Sequence, residues 1–425
     1  MMMMMTMGCF NWSRKKKKKA SMASRPLGKR WRDLSGRNHW KDALEPLDLE
    51  LRQYIIHYGE MAQATYDTFN ANTKSKYAGS SIYSRQDFFS KVGLEKGHPY
   101  CKYQVTKFLY STSQISVPDS FLVFPVSREG WTKESNWIGY VAVATDQGKQ
   151  VLGRRDIVVA WRGTIQTLEW INDFDFGTIN AKKIFGDNGD GVGVHQGWYS
   201  IYTSEDERSP FNKASARDQV LREIRRLVEK YKDEEISITI CGHSLGAALS
   251  TLSAADIVAN GYNRPKNLPD KSCPVTVFAF ASPRVGDSDF KRLFSGLDDL
   301  RALRIRNLPD VVPIYPPIGY SEVGEELVMD TRKSPYLKSP GNPTLFHTME
   351  VYLHGIAGTR GTKSDFKLEI ERDIALVNKP IDGLKDEFMV PGSWRALKNK
   401  GMAQQNDGSW KLMDHETDDN EDVEI

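Results

Sequence analysis

Apolar residues in the first third of the chain return with helical spacing. Across residues 47–66, Leu51, Ile55 and Tyr58 fall on one side of a helix, and the helical pattern is read from about Trp40 to Asp119. The pattern then changes. Short, nearly continuous apolar runs occupy residues 137–144, 157–161, 236–241, 275–281 and 303–307. Runs of that kind predict strands buried on both faces. Helical patterns separate them. Val220, Leu221, Ile224, Leu227, Val228 and Tyr231 mark one apolar face, and Leu249, Leu252 and Ala255 mark another that Gly261 closes. Strands alternating with helices predict an α/β fold, a mostly parallel central sheet flanked by helices. No internal repeat is present, and no apolar run reaches the roughly 18 residues of a membrane span.

The run Ile236-Ser237-Ile238-Thr239-Ile240-Cys241-Gly242-His243-Ser244-Leu245-Gly246 carries the chemistry. A β-branched strand ends in G-x-S-x-G and a helix-forming stretch follows at once, the context that makes this pattern a nucleophile elbow. Such a turn strains the backbone at Ser244. Gly242 and Gly246 flank it because a Cβ at either place would collide with the neighbouring strand or helix. The serine oxygen is then held clear at the sheet edge, beside the positive end of the next helix, where negative charge develops in acyl transfer.

A serine needs a base, and the base needs an orienting carboxylate. In the order that goes with this elbow, the carboxylate and then the histidine lie downstream. Three histidines follow Ser244: His347, His354 and His415, the last within the acidic end of the chain. His347 stands at a junction between a Pro- and Gly-rich loop and a helix, from which a base can lean over the sheet edge. His354 is read as structural. Asp310 directly follows the run at 303–307, at the carboxyl end of a strand, where open α/β sheets place their sites. Asp287 and Asp289 read as loop or helix-cap residues. The oxyanion needs two donors. Leu245 supplies the N–H after the nucleophile, and Thr164, in Trp161-Arg162-Gly163-Thr164, supplies the second. Ile165, Leu168, Trp170 and Ile171 then suggest a short apolar lid helix, or a helix packed on the surface.

The net charge of +3 conceals an asymmetry. Residues 1–37 carry +10, with Lys15 to Lys19 in a run, so the remainder carries −7, and the last twelve residues hold seven acids. Both ends read as disordered tails: a basic one over residues 1–37 and an acidic one over 412–425. The lysine run is a candidate for peripheral contact with an anionic membrane surface. Nothing resembling a basic nucleic-acid-binding fold stands behind it. Read from Met7, Gly8 and Cys9 would resemble acylation sites, but the pattern fails at Trp12 and Gly8 is internal. Four scattered cysteines make neither a disulfide framework nor a metal site, and a reducing compartment such as the cytoplasm fits them. The glycine-rich stretch at 186–193 lacks the lysine of a phosphate loop and the spaced acids of a calcium loop.

In their order, Trp161-Arg162-Gly163-Thr164, the elbow, Asp310-Val311-Val312-Pro313 and His347 resemble the class 3 lipases of the α/β-hydrolase superfamily. Residues 54–64, 134–143 and 390–394 narrow the resemblance to the plant class II phospholipase A1 enzymes, and it runs from about Trp40 to Lys411. The resemblance implies one α/β-hydrolase lipase domain over residues 38–411 with its catalytic core at about 137–360. It implies a Ser244–Asp310–His347 triad, no metal or other cofactor, a phospholipid substrate cut at its sn-1 acyl ester, and a cytoplasmic enzyme. Composition and spacing alone reach only a serine acylhydrolase. A lipase or galactolipase acting on neutral acylglycerols or galactolipids would carry the same triad, and a non-catalytic lipase-like scaffold would be expected to lose part of it.

Overall fold

The computed structural model describes residues 27–98, 100–117, 122–123, 126, 135–164, 177–268, 270–395 and 397–413. Its centre is a seven-stranded sheet in the spatial order β1 (Tyr103–Ser111), β2 (Asn136–Ala144), β3 (Arg155–Trp161), β6 (Ile236–His243), β7 (Val275–Phe280), β8 (Leu300–Asn307) and β9 (Glu325–Met329). The first three strands pair antiparallel, and every pairing from β3 to β9 is parallel. Two small hairpins stand apart, β4 (Thr178–Asn180) with β5 (Gly193–His195), and β10 (Met402–Gln404) with β11 (Trp410–Leu412). The predicted mostly parallel α/β sheet is therefore present.

Burial on both faces explains the unbroken apolar runs. Along β3, Ile157, Val159 and Trp161 enter one core cluster while Val158 and Ala160 enter the other. The first cluster is closed by α2 (Ala216–Lys230) and α3 (Leu245–Ala259). The second is closed by α1 (Leu49–Thr68) and α4 (Met349–Gly358), which also pack on each other. Each fully buried Leu, Ile or Phe contributes roughly 1.5–3 kcal/mol to this assembly.

Three expectations need correction. The stretch from 40 to 119 is not helical throughout, since β1 lies within it. Bulges between Val105 and Lys107 and between Leu109 and Tyr110 break the period-two alternation that would have marked this strand. Strand β9 also escaped the apolar pattern, because it is a short, half-exposed edge strand with Glu325 and Glu326 at its start. Finally, residues 27–37 are not tail. Trp31 and Leu34 are buried, and the Arg154 guanidinium lies 5.0 Å from the Trp31 ring centre. Two aromatic and aliphatic anchors outweigh the basic composition there. At the other end β11 carries order to Leu412, one residue past the expected boundary.

A buried ionic cluster fastens the segment after α4 to the rest. Glu60 and Asp67 come from α1, Glu350 from α4, and Arg372, Lys379 and Arg395 from the final segment. Glu350 receives Arg372 Nη2 at 2.5 Å and Lys379 Nζ at 2.6 Å, and Asp67 receives Lys379 Nζ at 2.8 Å. Burial alone would lower the Lys379 ammonium pKa, but Asp67 and then Glu350 outweigh it and raise it. Burial would likewise raise Glu60, yet His98 beside it and Arg372 hold it at about 2.

Candidate active site

Strand β6 ends at His243, α3 begins at Leu245, and Ser244 is the turn between them. Its backbone sits at φ 58° and ψ −126°, a region that L-residues rarely occupy. The turn is held by the Ser244 N–H, which donates to Phe280 O on β7 at 2.9 Å. The two glycines have distinct duties. A Cβ on Gly242 would stand 2.3 Å from Gly246 O in the helix, and one on Gly246 would stand 2.3 Å from Trp161 O at the end of β3. The elbow is thus pressed directly against the stretch that carries Thr164.

Asp310 follows β8 through a tight turn, its N–H bonded to Asn307 O at 2.9 Å. His347 lies between the short helix Pro343–Phe346 and α4. The two meet in the core: His347 Nδ1 is 2.7 Å from Asp310 Oδ2, and both side chains are buried. A carboxylate oxygen only accepts, so Nδ1 carries the proton and Nε2 of the neutral ring keeps its lone pair. Two further donors fix the carboxylate, Tyr352 OH on Oδ2 at 2.6 Å and the Val312 N–H on Oδ1 at 3.0 Å. Asn307 ties the parts together. Its side-chain amide donates to Phe346 O at 3.0 Å, and its own N–H donates to Tyr352 OH at 3.1 Å.

Buried polar atoms nearly always find partners. Here Ser244 Oγ, His347 Nε2 and Thr164 Oγ1 are buried and have none among the described residues. The expected Ser244–His347 hydrogen bond is accordingly not formed in this structure. Such bonds often tighten only once substrate is bound. His243 lies 4.7 Å from His347, ring centre to ring centre, and its Nδ1 is bonded to Tyr66 OH at 2.7 Å. Burial, and next the neighbouring His347, depress its pKa well below the usual value, so it stays neutral beside the triad. The loop of Gly163 runs close above Tyr66, where any side chain would strike the phenol oxygen.

The structure thus brings together Ser244, Leu245 and Thr164 on one side and Asp310 and His347 on the other. It separates His354, which bonds Ser334 Oγ at 2.7 Å and stacks on Phe366. Asp287 caps the helix Ser288–Ser295 through the Asp289 and Phe290 N–H groups. Ile165, Leu168, Trp170 and Ile171 lie outside the described residues. Sequence reasoning missed Tyr352, Asn307 and Tyr66. The first two stand five residues after His347 and three before Asp310, a proximity that could have singled them out, whereas Tyr66 joins the site only through folding.

Residues 158–320 match the sequence model of the family described as Lipase (class 3). Phospholipase A1-IIgamma of Arabidopsis thaliana is 73% identical over 406 residues, covering 95% of this chain and 97% of its own length. This chain belongs to the class 3 lipase family, among the phospholipase A1-II proteins. Phospholipase A1-II 1 of Oryza sativa subsp. indica is 54% identical over 394 residues, 92% of this chain and 98% of its own. Among solved structures, a lipase from Rhizopus microsporus var. chinensis aligns at 18% identity and a TM-score of 0.41, covering 67% of this chain and 76% of that one. The class 3 lipase match ends at 320, before His347, whereas the phospholipase A1-II relatives extend across the whole Ser244–His347 stretch.

Proposed function

We propose that this chain is a serine phospholipase A1, hydrolysing the sn-1 acyl ester of glycerophospholipids. The observation that carries the chemistry is the buried trio of Ser244 Oγ, His347 Nε2 and Thr164 Oγ1, unpartnered among the described residues, with Ser244 at a strained elbow. The phospholipid substrate is supported by the 73% identity to Phospholipase A1-IIgamma.

His347 Nε2 takes the Ser244 proton as Oγ attacks the ester carbonyl carbon. Asp310 keeps the imidazole in the required tautomer and stabilises the imidazolium without taking its proton. The Leu245 N–H, which as the first of its helix has no intrahelical partner, and Thr164 receive the oxyanion. When the ester C–O bond breaks, His347 protonates the departing glycerol oxygen and the lysophospholipid leaves. Water, deprotonated by His347, then attacks the acyl-serine, and the fatty acid departs as Ser244 recovers its proton. The lipid is met at a membrane or micelle surface, and the basic residues before Leu27 are an accessory contact there. The setting is cytoplasmic, which suits Cys101, Cys241 and Cys273 as free buried thiols.

Phosphatidylcholine carrying different acyl chains at its two positions tests the reading. Release of the sn-1 acid alone, abolished in Ser244→Ala, is the expected result. Release of both acids leaves the serine chemistry and overturns the positional claim, and activity confined to neutral lipids overturns the substrate. Tyr352→Phe removes one donor to the Asp310 carboxylate and should lower kcat about tenfold with KM little changed. An unchanged kcat would remove Tyr352 from the catalytic support.

A further inference from the structure

The loop that carries Asp310 has two unlike sides. Asp310, Val312, Pro313 and Pro316 are buried. The exposed positions of residues 308–319 are Leu308, Val311, Ile314, Pro317, Ile318 and Gly319, and none of them is polar. Single exposed apolar residues are ordinary on a protein surface, but a loop whose whole outer side is apolar is not. Val311 and Ile314 share a side because the 3-10 turn Val312–Ile314 places residues three apart in line. Ile318 stands furthest out, at 85% exposure.

The loop is also braced. The Arg284 N–H donates to Tyr315 O at 2.8 Å, and its guanidinium donates to Pro316 O at 3.1 Å and Pro317 O at 3.2 Å while reaching Glu322 at 3.1 Å. A loop held so firmly presents its apolar side ready-formed, with little ordering cost on contact. Its inner side is part of the candidate active site, since Val312 N–H holds Asp310 Oδ1. Whatever the outer side docks on is therefore one loop thickness from the triad.

We infer that the outer side of residues 308–319 is a membrane-docking surface that inserts Ile318, with Val311 and Ile314 beside it, into the acyl boundary of a phospholipid bilayer. The inference deepens the phospholipase reading and rests on it for the choice of a bilayer as occupant. Continuity between this surface and the site argues for that occupant. A substrate whose ester lies at the acyl boundary reaches Ser244 most directly when the rim of the site enters the same layer.

Binding is tested apart from catalysis, with full-length Ser244→Ala protein and vesicles of a dialkyl ether phosphatidylcholine that has no ester to cut. Ser244→Ala should cosediment with the vesicles, and adding Ile318→Asp should weaken binding at least about tenfold, with an unchanged melting temperature. Adding Ile318→Trp instead should strengthen binding several-fold, a gain that misfolding cannot produce. Equal binding by all three proteins overturns the inference. So does unchanged vesicle binding by Ile318→Asp combined with loss of a dimer in sedimentation, which would make the surface an interface between copies of the chain. If the wild type binds through Ile318 but releases no fatty acid from ester vesicles, the docking surface stands and the phospholipase reading falls.

Discussion

Ser244→Ala should lower kcat by about a millionfold, to the residual rate that binding and the oxyanion donors sustain alone, and His347→Ala should match it. The two losses are equal rather than additive, because nucleophile and base act as one unit. The double variant should therefore be no slower than either single one. The geometry assigns the base to His347, which alone among the downstream histidines of the described residues bonds a carboxylate at the carboxyl end of the sheet. His354→Ala should stay within a few-fold of the wild-type kcat, since its ring is occupied with Ser334 and Phe366. Fatty-acid release from mixed-chain vesicles, followed by titration or mass analysis, reads all four proteins. An inert His354→Ala beside an active His347→Ala would reverse the assignment.

The second large effect is on stability. Glu350→Ala should cost about 3–5 kcal/mol, because it strands Arg372 and Lys379 inside the protein with one acidic partner fewer each. For a chain of this size that is a fall of roughly 4–6 °C in the melting midpoint, read by calorimetry. The Coulomb attraction does not by itself make the cluster valuable, since burying the charges costs a comparable amount. The asymmetry lies in the cost of breaking it. Glu350→Gln, which keeps the shape and loses the charge, should fall between. A midpoint unchanged in Glu350→Ala would mean that the cluster is solvated and contributes little. Because α4 also carries Tyr352, the Ala variant should lose activity before it loses its secondary structure.

Much of this was legible in the sequence, for identifiable reasons. The central strands announce themselves because burial on both faces leaves place for few polar residues, such as Ser237 and Thr239, which bond the buried Asp156. The elbow is legible because its backbone demands glycine on both sides of one serine. Asp310 and His347 followed from chain order, and the structure places them in contact. What stayed hidden depends on three dimensions. Strand β1 is bulged, so its period is lost. Tyr66 meets His243 across 177 residues of sequence. The ionic cluster joins residues up to 328 apart, and each of its charges reads in isolation as a surface residue. Residues 27–37 were misread because a high positive charge masked two anchoring side chains, Trp31 and Leu34.

The packing of α1 against α4 sets a timetable for the nascent chain. Ser244 leaves the ribosome 103 residues before His347, an interval of about 5–20 s at ordinary rates of synthesis. For that time the growing polypeptide holds a nucleophile with no base, and one face of its sheet waits for a helix not yet made. Emergence of His347 and α4, rather than closure of the elbow, is then the event that completes the catalytic machinery.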